Sequence, residues 1–156
     1  DALMVNTDIH SECELALEKT VQLLRDLGHE VIEAKPSFDA PALRKAFMTM
    51  LMTETAGEMA LGEQIRKKKA KPSDFEAKNW ALYVLSKNLT AGEISLARRQ
   101  FDLTMRDMGR FMSGYDVWLT PTVAQPPFEI GALQSSGLEA QLTKLIAHLI
   151  TVFLWL

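Results

Sequence analysis

Residues 39–114 repeat apolar side chains at the spacing of an α-helix almost without interruption. Asp39 is suited to cap the first helix of this stretch, and Pro41 is suited to its first turn. We expect that helix to end near the basic run at residues 66–69. This pattern predicts a helical block over 39–114, whose broad apolar face includes Leu43, Phe47, Met50, Leu51 and Met59.

Two further helix starts in this block are marked by capping boxes, in which Ser or Thr precedes Glu by three residues. Ser73 with Glu76 predicts one start, and Thr90 with Glu93 predicts the next. Gly114 predicts the end of the last helix. Each cap stabilises its helix by about 1 kcal/mol and carries no information on chemistry.

Residues 1–36 have the pattern of a strand-helix-strand unit. Ser11 with Glu14 forms a third capping-box pattern, which predicts a helix over roughly residues 12–27. Gly28 follows at the position where a helix C-terminus favours the left-handed conformation.

Three short apolar or alternating runs predict strands. They lie at residues 2–5, at 29–34, where Pro36 stops the pattern, and at 115–120, where Pro121 stops it. A helix joined tightly to a strand is half of an α/β unit, so we predict the α/β class for this helix-rich chain.

Residues 115–156 are predicted to form a strand, a proline-rich loop and a final apolar helix over 137–156. The chain has no initiator Met and ends on the apolar residues 153–156. We therefore expect one incomplete domain over 1–156, cut from a longer protein.

Composition excludes several classes of protein. Apolar residues make up 47% and charged residues 24%, which is ordinary for a globular domain and unlike a disordered chain. The net charge of −3 predicts no nucleic-acid partner. The final apolar run over 145–156 is shorter than the ~20 residues that a membrane span needs, so we expect no membrane partner.

Cys13 is the only cysteine and residues 1–7 do not form a signal peptide, which favours a cytoplasmic location.

Motifs for catalysis or metal binding are absent from the sequence. There is no GxSxG elbow, no SxxK and no glycine-rich phosphate loop. His29 and His148 are interpreted as local or core partners, and we expect no metal or cofactor. The start of the first predicted helix leaves two alternatives, a polar helix start or a metal corner formed by His10, Glu12, Cys13 and Glu14.

Some side chains in the helical block could line a pocket. Such candidates, with core packing as the alternative, are Trp80, Tyr83 and two helical methionine clusters, one formed by Met48, Met50, Met52 and Met59 and the other by Met105, Met108 and Met112. The basic residues at 66–71 and the pair Arg98 and Arg99 are interpreted as solvated helix surface rather than an anion site.

Several segments resemble the amidase signature family of amide hydrolases. The strongest are DIHSEC at 8–13, LRDLGHEVIEAKP at 24–36 and YDVWLTPTVAQPP at 115–127, which Ile130 and Gly131 follow. Shorter matches between them are DFE at 74–76 and LTA at 89–91. The resemblance covers residues 3–133, and the branch that contains the 6-aminohexanoate cyclic-dimer hydrolases is the most similar.

This resemblance implies an α/β/α fold around a mixed sheet, of which the chain holds a few strands. It also implies hydrolysis of a small amide through a Ser-Ser-Lys acyl-enzyme mechanism without a cofactor. None of those three catalytic residues can be placed on this sequence, so we predict that they lie outside it and that the chain alone is inactive. We expect Thr120, Pro121 and Thr122 to be the residues nearest the substrate, because loops at strand ends carry function; the alternative is that they only terminate the strand.

A second hypothesis comes from the final helix. A noncatalytic interaction module could dock on a partner protein or a membrane through the apolar helix at 137–156. If the chain is instead part of an amidase, that helix is expected to contact the remainder of the parent chain or a second copy of itself.

Overall fold

The computed structural model describes residues 8–132 and, beyond them, residues 137, 141 and 145. The described elements are helical, and three α-helices lie within residues 39–114. In chain order the elements are α1 (Ser11–Asp26), α2 (Ala40–Arg66), a 3₁₀ turn (Pro72–Asp74), α3 (Ala77–Ser86) and α4 (Ala91–Met112).

The start of α1 differs from its prediction by one residue. His10, not Ser11, is the N-cap, and its Nδ1 accepts a hydrogen bond from the backbone N–H of Glu12 at 3.2 Å. The predicted capping box is therefore wrong, because the shifted start places Glu14 one residue too late for it. The backbone N–H of His10 donates instead to the carbonyl of Ala124 at 2.9 Å.

The end of α1 confirms the interpretation of Gly28. This residue has φ +89° and its N–H donates to the carbonyl of Arg25, while the N–H of His29 donates to the carbonyl of Leu24. These two bonds form a Schellman motif, which satisfies carbonyls at the helix end that lack a partner within the helix.

The same motif ends α2 without a glycine. Lys67 has φ +51°, its N–H donates to the carbonyl of Gln64, and the N–H of Lys68 donates to the carbonyl of Glu63. The prediction that α2 ends in the basic run is confirmed.

One of the two capping boxes in the helical block is wrong and the other is confirmed. Pro72 begins a 3₁₀ turn, and Asp74 accepts a hydrogen bond from the backbone N–H of Lys71. This turn delays α3 to Ala77, whose N-cap residue Glu76 makes no side-chain cap, so Ser73 starts no α-helix. The box at the start of α4 forms as predicted. The backbone N–H of Thr90 donates to the carboxylate of Glu93, and the backbone N–H of Glu93 donates to the hydroxyl of Thr90.

The strands predicted over 29–34 and 115–120 are not formed as paired strands. No strand is present among the described residues, and both segments are irregular. An alternating sequence becomes a strand only when another strand satisfies its backbone hydrogen bonds, and neither segment has such a partner here. The strand predicted at 2–5 lies outside the described residues, as does most of the helix predicted over 137–156.

The chain divides into two compact units. The first unit combines Asp1–Pro41 with Asp102–Leu133, and the second combines Ala42–Phe101 with Gln134–Leu156. The incomplete single domain over 1–156, with segments 1–36, 39–114 and 115–156, stays a prediction.

The second unit has a small hydrophobic core made by α2 and α3. Met59, Trp80 and Val84 are buried together, and Phe75 and Tyr83 pack against them. No helix in the described part of the chain is long and apolar enough to cross a membrane.

Candidate functional site

The predicted substrate loop follows α4 in the first unit. Pro121 is half-buried, while Thr120 and Thr122 are exposed. Two residues further on, the carbonyl of Ala124 accepts the hydrogen bond from the N–H of His10. This bond anchors the loop beside the N-terminus of α1.

An aromatic cluster fixes the beginning of the same loop. The ring of Phe111, in the last turn of α4, lies 4.9 Å from that of Tyr115 and 5.9 Å from that of Trp118. The loop is thus held at both ends, and the exposed hydroxyls of Thr120 and Thr122 lie between the two anchors. Hydroxyls there can donate to or accept from an amide group.

A groove in the second unit was not predicted from the sequence. It has a volume of about 460 Å³ and lies between α2 and α3. One wall is a stripe of α2 residues, and the floor contains Met59 and Phe75. The stripe consists of Glu54, Glu58, Gly62 and Arg66. Their four-residue spacing was the available signal, because residues four apart lie on one helix face.

Of the predicted pocket residues, Met59 lines this groove, whereas Trp80 and Tyr83 are not among the described residues that line it. Trp80 is 6% exposed and packs in the core with its ring 5.1 Å from that of Tyr83, so core packing is the observed role of both side chains. Met48, Met50 and Met52 on α2 are also not among the described residues that line the groove.

Hydrogen bonds and an ion pair to Glu63 connect the end of α2 with the turn that follows it. The carboxylate of Glu63 accepts hydrogen bonds from the backbone N–H of Ala70 at 2.8 Å and from Nζ of Lys69 at 2.9 Å. The bond from Ala70, followed by that from Lys69, holds the pKa of Glu63 below its ordinary value. The hydrogen bond to Glu63 raises the pKa of Lys69.

The possible metal corner at the start of α1 is not assembled. His10 uses Nδ1 to cap the helix, and within the described residues no group of three or more His, Cys, Asp or Glu could hold a metal ion. His29 contributes its backbone N–H to the end of α1, and His148 lies outside the described residues. The expectation of no metal or cofactor remains a prediction.

Comparison with known proteins identifies the family. The amidase family model matches residues 2–155, and the chain therefore belongs to the amidase family. The lipoamidase of Enterococcus faecalis is 29% identical over 118 residues, which are 76% of this chain. The matched part is only 16% of that relative, so the chain spans a small part of its length. No solved structure matches the chain.

Proposed function

We propose that this chain is the central-to-C-terminal part of an amidase-type hydrolase that cleaves a carboxamide C–N bond. The observation that carries the proposal is the match to the amidase family over residues 2–155. The catalytic Ser, Ser and Lys of the acyl-enzyme mechanism are proposed to lie on polypeptide outside this chain.

Two described serines already serve the fold. The hydroxyl of Ser86 donates to the carbonyl of Tyr83 at 2.6 Å, and that of Ser113 donates to the carbonyl of Arg110 at 2.7 Å. A nucleophile needs a base within hydrogen-bond reach and N–H groups directed at the developing oxyanion. Both hydroxyls instead satisfy carbonyls near helix ends, which supports a scaffold role for these residues.

The substrate is proposed to be a small amide that contacts Thr120, Pro121 and Thr122. We propose two candidate substrates. One is a cyclic dimer of 6-aminohexanoate, because the chain resembles that branch of the family, and the other is a lipoyl amide, because the matched relative is named a lipoamidase.

The location proposed for the enzyme is the cytoplasm. The alternative of a docking module depends on residues 137–156, of which only 137, 141 and 145 are described.

The test is hydrolysis of both amides combined with labelling by a serine-directed fluorophosphonate. The 156-residue chain should neither hydrolyse an amide nor become labelled, whereas the polypeptide encoded by the whole genomic reading frame that contains it should do both. The Enterococcus faecalis lipoamidase is the positive control. Labelling and turnover by the 156-residue chain itself would overturn the placement of the catalytic residues.

Within the active polypeptide, Thr122→Val tests the loop. Loss of a hydroxyl that binds the substrate should raise KM more than it lowers kcat, because the interaction is present before the chemical step. Thr20→Val on α1 is the control. An unchanged KM in the Thr122 variant would remove this residue from the substrate site.

A further inference from the structure

The groove between α2 and α3 has a polar wall with an uneven distribution of charge. Glu54 and Glu58 stand one helical turn apart, and neither has a hydrogen-bond or ion-pair partner among the described residues. Arg66, two turns beyond Glu58, lies 3.9 Å from the carboxylate of Asp74. The carboxylate of Asp74 therefore neutralises the charge of Arg66. Glu54 and Glu58 give the opposite end of the groove a net negative charge.

The floor of the groove is apolar and packs on the hydrophobic core of the second unit. Met59 is only 5% exposed, and the ring of Phe75 stacks on that of Trp80 with 6.3 Å between the ring centroids. Gly62 lies in the middle of the wall, and a methyl group placed on it would meet no atom within 4 Å. The missing side chain keeps the groove open between its charged end and its apolar floor.

The size of the groove suits a small ligand. Its volume of about 460 Å³ is in the range of small-molecule sites, which combine apolar walls with a few polar groups that orient the ligand. Two carboxylates one turn apart repel each other, and a cation bound between them relieves that repulsion. A ligand that fits both features has a positively charged end and an aliphatic chain.

We propose that this groove binds an aliphatic primary amine. The ammonium group lies between the carboxylates of Glu54 and Glu58, and the chain of the ligand lies along Met59 and Phe75. An ammonium group has three N–H donors, which is enough for both carboxylates. The site lies wholly in the second unit, and its occupation does not depend on the proposed amidase activity.

The test is a titration of the ¹⁵N-labelled 156-residue chain with n-hexylamine at neutral pH and low salt, followed by NMR. Binding in the millimolar range is expected, with the largest shifts at the amides of Gly62 and Asn79. 1-Hexanol has the same aliphatic chain without the charge and should bind several-fold more weakly. Equal binding of the amine and the alcohol, or no shift in the groove, would overturn the proposal.

Variants test the contribution of the two carboxylates and that of the open groove separately. Glu54→Gln and Glu58→Gln should each weaken amine binding about two- to fivefold, as expected for an exposed ion pair, and leave hexanol binding unchanged. Gly62→Leu should block both ligands, because its side chain occupies the groove. Glu18→Gln on α1 is the matched control for loss of one carboxylate. If Glu54→Gln and Glu58→Gln together had no more effect than this control, the carboxylates would not bind the amine.

The ammonium group that binds could belong to a lysine side chain of a polypeptide or to a free aliphatic amine. A lysine-containing peptide distinguishes these two kinds of ligand. Gly-Lys-Gly with an acetylated N-terminus and an amidated C-terminus has its lysine side chain as its only amine, and tighter binding of this peptide than of hexylamine identifies a lysine-bearing polypeptide as the ligand. The reverse order identifies a free amine. Both results support the site, and failure of both ligands to bind overturns it.

Discussion

Lys67 has a positive φ of 51° where α2 ends, in the conformation that glycine adopts without strain at the end of α1. A side chain in this conformation brings Cβ close to the following carbonyl oxygen. The observed Schellman hydrogen bonds hold Lys67 there nonetheless.

Replacing Lys67 with glycine should therefore stabilise the chain. We expect Lys67→Gly to raise the free energy of unfolding by about 1 kcal/mol, because the left-handed conformation costs about that much for a residue with a side chain. Urea unfolding followed by circular dichroism measures it. Lys68→Gly is the control, since Lys68 has no positive φ and its change should give no gain. A loss of stability in Lys67→Gly would contradict the assignment of the α2 end.

The capping box of α4 makes stability depend on pH. Hydrogen bonds from the backbone N–H and then the hydroxyl of Thr90 lower the pKa of Glu93 below its ordinary value of 4.5. A carboxyl group whose pKa is lower in the folded state stabilises that state above its unfolded pKa. This contribution declines as the pH falls from 4.5 through the lower folded pKa.

The stability difference between the wild-type chain and Glu93→Gln should thus shrink as the pH is lowered below 4.5. Unfolding curves across the acid range measure this difference. Glu18→Gln removes the same charge from α1 without touching Thr90 and serves as the control. A difference that stays constant from neutral to acid pH would show that the capping box does not form.

Packing between elements accounts for more stability than any cap. Met59 is 5% exposed in the core of the second unit, whereas Met105 on α4 is 68% exposed. We expect Met59→Ala to lower the free energy of unfolding by about 2–5 kcal/mol, the usual cost of such a core truncation. Met105→Ala should change it by less than about 0.5 kcal/mol. Thermal unfolding compares the two, and equal effects would contradict the observed core.

Helices were predictable from the sequence because their determinants are local. Gly28 and the Thr90–Glu93 pair lie within a few residues of the ends that they fix. His10 was missed because a histidine cap has no distinctive spacing, and Ser11 supplied a more familiar pattern. The segments at 29–34 and 115–120 depend on a pairing partner, which their own alternation cannot supply.

The groove between α2 and α3 could not be predicted from the sequence for a similar reason. Glu54 and Glu58 belong to α2, whereas Phe75 follows the 3₁₀ turn and Asn79 belongs to α3. Their proximity depends on how α3 packs against α2 through Met59 and Trp80. The loop at 120–122 was proposed from a resemblance, and its role as a substrate contact remains a prediction.

For the whole molecule, the exposure of apolar side chains in the first unit has a measurable consequence. Val117, Val123 and Phe128 are 78%, 58% and 58% exposed in the segment after α4. Clusters of exposed apolar side chains bind other apolar groups. We expect the purified chain to enhance the fluorescence of a hydrophobic dye.

A variant with Val117→Ser and Val123→Ser should reduce that dye signal while leaving the unfolding transition nearly unchanged, because both side chains are largely solvated already. Leu96→Ser on α4, also well exposed at 67%, is the single-site control outside this segment. Absence of dye binding by the wild-type chain would show that these side chains are covered in solution.

The hydrogen bond from His10 to Ala124 bears on the order of events during synthesis. Of the described helices α1 is translated first, yet Ala124, which accepts its hydrogen bond, is translated roughly a hundred residues later, after the whole of α2, α3 and α4. Closing so long a loop costs more entropy than forming the neighbouring contacts of α2 and α3. The first of the described helices to be translated is consequently among the last to be fixed in place.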